Sequence, residues 1–231
     1  MNNGVQFSAA PHIQIDIDVT IGSGSLIGPG IIIKKGTCIG HNCRLEAYST
    51  ITASTIGDNV VILPYSVINE SCIEAHAIIG PMAHLRGQVH VGEYSHIGCF
   101  VEATKTAFGA HSKAKHLAYL GNADIGSHVN IGAGVITANY NGISKSITTI
   151  KDGVHIGALN ALIAPITIGD NAITAAGSTI TDSIPDNGFA IARTYQITKN
   201  DYAVQLRTKF KAEKEKNTPS TPITPAPTDA L

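Results

Sequence analysis

The side chains best able to do chemistry gather in one stretch, VEATKTAFGAHSKAKHLAYLGNADIGSHVNIGAG, residues 101–134, which carries Glu102, Lys105, His111, Lys113, Lys115, His116, Tyr119 and Asn130. Taken together, these types suit acyl transfer to an amine. That reaction asks for a base titrating near neutrality, a partner that orients it, cationic groups for an anionic substrate, and donors for a developing oxyanion. The competing account is that polar side chains simply cover the outside of a repetitive fold, where most polar residues belong. On that account Arg86 is an ordinary corner arginine, Lys145 a solvated loop lysine, Asn130 one rung of a polar ladder, and Tyr119 the cap of an apolar corner.

What must position these groups is a repeat. An aliphatic residue recurs every six positions, usually followed by Gly and often with a small residue at the fifth position: Ile21-Gly22, Ile27-Gly28, Ile33, Ile39-Gly40, Leu45, Ile51, then Ile56-Gly57, Ile62, Ile68, Ile73, Ile79-Gly80, Leu85, Val91-Gly92 and Ile97-Gly98. After Phe108-Gly109 it returns as Ile125-Gly126, Ile131-Gly132, Ile150, Ile156-Gly157, Leu162, Ile168-Gly169, Thr174 and Ile180. Positions one and five of each hexad are an even number apart, so on extended backbone both side chains face one way, into a core. The Gly at position two is expected at a corner, where a missing Cβ allows unusual backbone angles and close approach. One hexad is then a short strand plus a corner. Such strands bury their apolar faces only by stacking, so the pattern predicts an all-β parallel β-helix of about ten coils.

Three stretches depart from the pattern. Residues 103–107 read as a slip in register, and Asn139 to Thr149 (NYNGISKSITT) as a loop thrown out from one corner, with an Asn-Gly turn signal. Beyond Pro185 the pattern stops, and Asn200 to Lys216 reads as a charged helix with Ala203, Leu206 and Phe210 on one side. The expected division is residues 1–190 as the β-helix, 191–216 as an arm and short C-terminal helix, and 217–231 as a Pro- and Thr-rich disordered tail.

Composition narrows the class further. Of 231 residues 43% are hydrophobic, yet there is no Trp and aromatics are 5%, so the core must be built from Ile, Val, Leu and Ala. A formal net charge of −1 with no basic cluster in the repeat argues against a nucleic-acid partner. The amino terminus lacks the basic and apolar pattern of a secretion signal, and no apolar run approaches a bilayer span, so a cytoplasmic protein without membrane contact is expected. Cys38, Cys43, Cys72 and Cys99 show no CxxC spacing and read as free thiols, without disulfide or metal.

The phrases IGPMAHLR, SKAKHLAYLG, NIGAGVITANYNG, AAGSTIT and IAR are more specific than a generic hexapeptide rule. They resemble, in order, the carboxy-terminal half of the bacterial bifunctional glucosamine-1-phosphate acetyltransferase and N-acetylglucosamine-1-phosphate uridylyltransferase family, within the hexapeptide-repeat acyltransferases. The resemblance runs from Val19 to Tyr202. It implies a left-handed helix, a homotrimer with sites shared between subunits, and acetyl-CoA as acetyl donor to glucosamine-1-phosphate. By motif, His116 is the implied general base and Glu102 its support. Arg86, Tyr119, Asn130 and Lys145 are the implied holders of the sugar phosphate. Asn139 and Tyr140 flank the reacting centre on the acetyl-CoA side, and Ala133, Ala158, Ala176, Arg193 and Lys199 line the coenzyme groove.

Two positions depart from that family. Thr104 stands where it carries Lys, leaving Lys105, one step on and pointing the other way on extended backbone, as the neighbouring cation for the substrate. Ala158 stands where it carries Ser. No nucleotide-sugar domain precedes the repeat, so uridylyl transfer is not expected, and the thioester chemistry calls for no metal. Other readings stay open: acetyl transfer to another aminosugar phosphate, O-acyl transfer as in lipid A synthesis, a sugar-phosphate binder without turnover, and a zinc carbonic anhydrase using His111, His116 and one of His76, His84, His90 or His96.

Overall fold

A computed structural model describes residues 4–8 and 12–217. Strands of two to four residues follow one another around three faces, and each pairs in parallel with the strand one coil before and one coil after. Among the described residues the first face has 11 strands, the second 10 and the third 9. Strands this short have no stability alone, so the fold is held by stacking.

The recurrent aliphatic residues all turn inward. Ile27, Leu45, Ile62, Ile79 and Ile97 form the ladder of the first face, and Ile33, Ile51, Ile68 and Leu85 that of the second; all are essentially inaccessible. Phe108 is the largest wholly buried side chain. Its coil carries Ala103 on the second face, and the next coil carries Ala114 on the first, so two small residues make room for the ring. The small residues at the fifth position have a second task that periodicity did not announce. Ser95 Oγ donates to the Gly109 carbonyl at 2.8 Å and accepts from Ser112 N–H at 3.3 Å, and Ser112 repeats the arrangement with Gly126 and Val129. Buried corner backbone thereby finds partners that the ladders cannot supply.

The structure corrects the expected role of the position-two glycines. Gly92, Gly98, Gly109, Gly132 and Gly157 do not have positive φ; the left-handed residue comes two places later and is usually not glycine, as with Tyr94 (φ 56°), Phe100 (57°), His111 (58°) and Leu159 (57°). The glycine is required for close approach. A Cβ on Gly132 would fall 2.6 Å from the Gly157 carbonyl carbon, and one on Gly92 2.6 Å from Ala110 N.

Nor is the stretch 103–107 a defect. The corner from second to third face is commonly one residue shorter, as in Ile51 to Ile56, Ile68 to Ile73 and Leu120 to Ile125, and Lys105 is simply its left-handed residue (φ 49°). The repeat also outlasts Pro185, because Phe189–Ala190 pairs with Ile173–Thr174. The loop after Ala138 is present, closed by an antiparallel bridge between Tyr140 and Lys145.

The β-helical unit runs through Arg193, and a second unit begins at Thr194. The second contains the helix Tyr202–Asn217, in which Leu206 is half-buried while Ala203 and Phe210 are exposed, so the expected apolar side is not covered. Residues 218–231 of the expected tail lie outside the described residues. No helix among the described residues is long and apolar enough to cross a membrane.

Candidate functional site

The strand Lys113–His116 lies on the first face, and the chain then turns through Leu117 (φ 49°) onto the second face at Tyr119–Gly121. His116 therefore stands at the edge between the two faces, opposite Cys99 of the coil before, and is exposed. It makes no side-chain hydrogen bond among the described residues, which leaves both ring nitrogens available. Its strand is seated by Gly98, whose missing Cβ is all that separates two backbones: a methyl there would meet Lys115 Cα at 2.8 Å.

On the second face, register sets Glu102 beside Tyr119, and Arg86 two residues beyond His84, which pairs with Glu102. Arg86 Nη2 donates to Glu102 Oε1 at 2.6 Å and Nε to the same oxygen at 3.1 Å. Both bonds fall on Oε1 of Glu102, and Glu102 and His116 share no hydrogen bond within the chain. Tyr119 folds its ring over Gly121, where a Cβ would meet the phenol oxygen at 2.6 Å, so the glycine of the YLG phrase makes room for the tyrosine. A groove of about 480 Å³ follows this edge, lined by Phe100, Glu102, Leu117, Tyr119, Ile136 and Leu159. A hollow of about 460 Å³ at the last coil, lined from Thr179 to Ala192, holds none of the candidate catalytic residues.

Ala133, Ala158 and Ala176 occupy equivalent places in successive coils of the same edge, linked by Leu159 N–H to the Ala133 carbonyl at 2.7 Å and Gly177 N–H to the Ala158 carbonyl at 2.8 Å. Arg193 comes next; its Cδ is 3.9 Å from where a Cβ on Gly177 would lie. Four of the residues assigned to the coenzyme are thus brought into one line leading away from His116. Lys199 belongs to the second unit, where its ammonium stands 4.9 Å from the Tyr202 ring centre.

The remaining candidates are placed elsewhere. Asn130 is on the first face, paired with Lys113 above and His155 below. Asn139, buried at the base of the loop, donates from Nδ2 to Asn122 Oδ1 at 2.8 Å, and Tyr140 Oη donates to the Gly142 carbonyl at 2.6 Å. Lys145 is exposed on that loop, where its backbone bridges that of Tyr140. Thr104 is buried, at 5% exposure, and Lys105 sits on the corner beyond it, so neither presents a cation on the strand face.

The other histidines have partners of a different kind. His76, Tyr94, His111 and His128 stack in parallel with ring centres 4.5, 5.1 and 4.9 Å apart. Lone pairs in parallel ring planes do not converge, and His90 Nε2 is bonded to Glu74 at 2.9 Å. Among the described residues of the single chain no group of three metal-ligating side chains is assembled. His96, near the candidate base, is held below the ordinary histidine pKa by burial first, then by Lys115, His116 and Lys113.

Comparison with known proteins agrees with this architecture. The family described as "Bacterial transferase hexapeptide (six repeats)" matches residues 18–53, 53–87 and 147–182. The UDP-N-acetylglucosamine acyltransferase of Francisella novicida superposes with a TM-score of 0.58 at 19% identity, covering 91% of this chain and 78% of its own. The chain carries the hexapeptide repeat of these transferases and folds as a parallel β-helix.

More particularly, it is 42% identical over 214 residues to the bifunctional protein GlmU of Koribacter versatilis, and 46% identical over 202 residues to that of Exiguobacterium sibiricum. These matches cover 93% and 87% of this chain but 46% and 45% of the relatives. The chain spans a little under half the length of the curated relatives it matches.

Proposed function

We propose that the chain transfers the acetyl group of acetyl-CoA to the amine of glucosamine-1-phosphate. The observation that carries this reading is the position of His116: an unengaged imidazole at an edge where the Ala133–Ala158–Ala176 line, the groove beside Tyr119 and the Arg86–Glu102 pair meet.

In this reading the acetyl thioester lies along the alanine line, with its coenzyme extending toward Arg193. The sugar amine attacks the thioester carbonyl carbon while His116 accepts the amine proton. The tetrahedral oxyanion is stabilised by backbone N–H groups near Ala133 or Asn139. Collapse breaks the carbon–sulfur bond, and the proton on His116 passes to the departing thiolate. A thioester is already activated and a thiolate leaves readily, so this sequence needs no metal.

The candidates divide between two faces of the prism, His116 and Asn130 with the first, Arg86, Glu102 and Tyr119 with the second. That division favours a homotrimer in which the second face of one copy completes the first face of its neighbour. The groove edge supports this assembly, since Tyr48, Tyr65, Phe100, Leu117 and Leu159 are each more than half exposed along it. A cytoplasmic location fits such small-molecule substrates.

The test is acetylation itself. The chain is incubated with acetyl-CoA and either glucosamine-1-phosphate or galactosamine-1-phosphate, and thiol release and the N-acetylated product are followed. Turnover with the gluco acceptor is expected; preference for the other sugar would reassign the acceptor, and no turnover with either would remove the acetyltransferase reading.

A further inference from the structure

We propose that Asn160 is a positioning residue for the acetyl donor, its buried amide holding the backbone of the alanine line in the orientation that grips the coenzyme arm, a role that rests on the acetyl-transfer reading above. Asn160 is 1% exposed and fills the core at the corner between the first and second faces. Its Nδ2 donates to two carbonyls, that of Ala158 at 3.2 Å and that of Ala175 in the next coil at 2.9 Å. Both partners are acceptors, so the nitrogen end of the amide must face them. Oδ1 is buried without a partner among the described residues, so the side chain's bonds all run to these two carbonyls.

The fold does not require a polar group at this place. The equivalent residues of the three preceding coils are Val101, Ala118 and Val135, all buried, whose carbonyls accept from His84, Glu102 and Tyr119 as that of Asn160 accepts from Ile136. Where serine occupies the same corner, as Ser49 does, it gives its single hydrogen to one carbonyl, that of Leu63 at 3.1 Å. An amide has two hydrogens and ties two coils at once. It does so where the alanine line passes.

The consequence for a ligand follows from peptide planarity. The Ala175–Ala176 peptide is trans, and its carbonyl is turned inward to Asn160, so the Ala176 N–H points outward at an exposed residue. Gly157 leaves that nitrogen uncovered, since a Cβ there would stand 2.6 Å from it. An outward N–H fixed in this way suits an amide carbonyl, and the arm of acetyl-CoA carries two. The coils of Ala133, Ala158 and Ala176 follow that of His116 in turn. At about 4.8 Å per coil, Ala176 stands roughly 14 Å along the axis from His116, level with the amide farther from the sulfur.

The experiment compares wild type with Asn160→Val, Asn160→Ser and Ser49→Val, the last a loss of buried hydrogen bonds on the same edge far from the alanine line. The donors are acetyl-CoA and S-acetyl-N-acetylcysteamine, a truncated thioester that keeps the amide nearest the sulfur and lacks the farther one. Asn160→Val is expected to raise KM for acetyl-CoA about fivefold, with kcat and KM for glucosamine-1-phosphate nearly unchanged. Asn160→Ser, with one hydrogen to give, recovers part of that loss. The penalty vanishes with the truncated donor, and Ser49→Val leaves both KM values alone. An unchanged KM for acetyl-CoA in Asn160→Val overturns the assignment. So does a penalty of equal size with the truncated donor or in Ser49→Val, which marks a merely structural effect. Should Asn160→Val fail to fold, Asn160→Ser decides by the same readings, with a rise of about twofold expected. Should wild type show no turnover, the acetyl-transfer reading fails by itself, and calorimetric binding of coenzyme A decides for Asn160. Binding about fivefold weaker in Asn160→Val upholds its role; equal binding, or none in wild type, overturns it.

Discussion

Replacing Gly98 with Ala tests whether the close approach of two backbones is what positions the base. The new methyl would fall on the Lys115 carbonyl oxygen, 2.7 Å from the carbonyl carbon and 2.8 Å from Cα, where ordinary contacts begin at 3.4 Å. Relief requires at least 3.4 − 2.7 = 0.7 Å, and more at the oxygen, so the strand carrying His116 must move by about 1 Å, a displacement that can cost about 10²-fold in rate. Overpacking of this kind costs about 1–3 kcal/mol of stability. Gly109→Ala supplies the control, because its methyl would fall on the Gly126 carbonyl with Ser127 N at 2.7 Å, an equally severe clash at a corner without candidate catalytic residues. Thermal melts should show similar losses for both variants, while kcat/KM falls about a hundredfold only for Gly98→Ala. Equal activity in the two at equal destabilisation would refute the claim that this contact sets the position of His116.

Three further outcomes follow from other contacts. Gly121→Ala pushes only the far end of the Tyr119 side chain, so stability should change by less than ~1 kcal/mol while acceptor KM rises severalfold, read by melts and steady-state kinetics. Asn122→Gly keeps a residue tolerant of φ 49° but removes the acceptor for buried Asn139; a loss of about 1–2 kcal/mol and a weaker acetyl-CoA KM are expected. The pKa of His96 is lowered on folding, so the unfolded chain takes up a proton first as pH drops. Stability is therefore intact above the ordinary histidine value near 6.5 and is lost progressively below it; Tm measured from pH 7.5 to 5 should fall less steeply in His96→Asn than in wild type.

The prism was legible in the sequence because its cause is local: a two-residue strand, an inward Ile and an outward neighbour leave a six-residue period along the chain. The angle at each corner was not, because glycine's two uses, positive φ and close approach, look the same in a sequence. Only the stacked coils show that Gly98 serves the second while Phe100 takes the first. Among the candidates, the alanine line was recoverable from recurring IGA and AAG phrases. The Arg86–Glu102 bond was hidden, since it joins side chains of neighbouring coils far apart in the chain.

The central claim is that His116 is the base of an acetyl transfer, and thiol release from acetyl-CoA in the presence of glucosamine-1-phosphate, measured for wild type and His116→Ala, tests it most directly. Loss of a general base should lower kcat by about 10²–10⁴-fold with substrate binding and Tm largely kept. A folded His116→Ala protein that turns over at the wild-type rate would contradict the account.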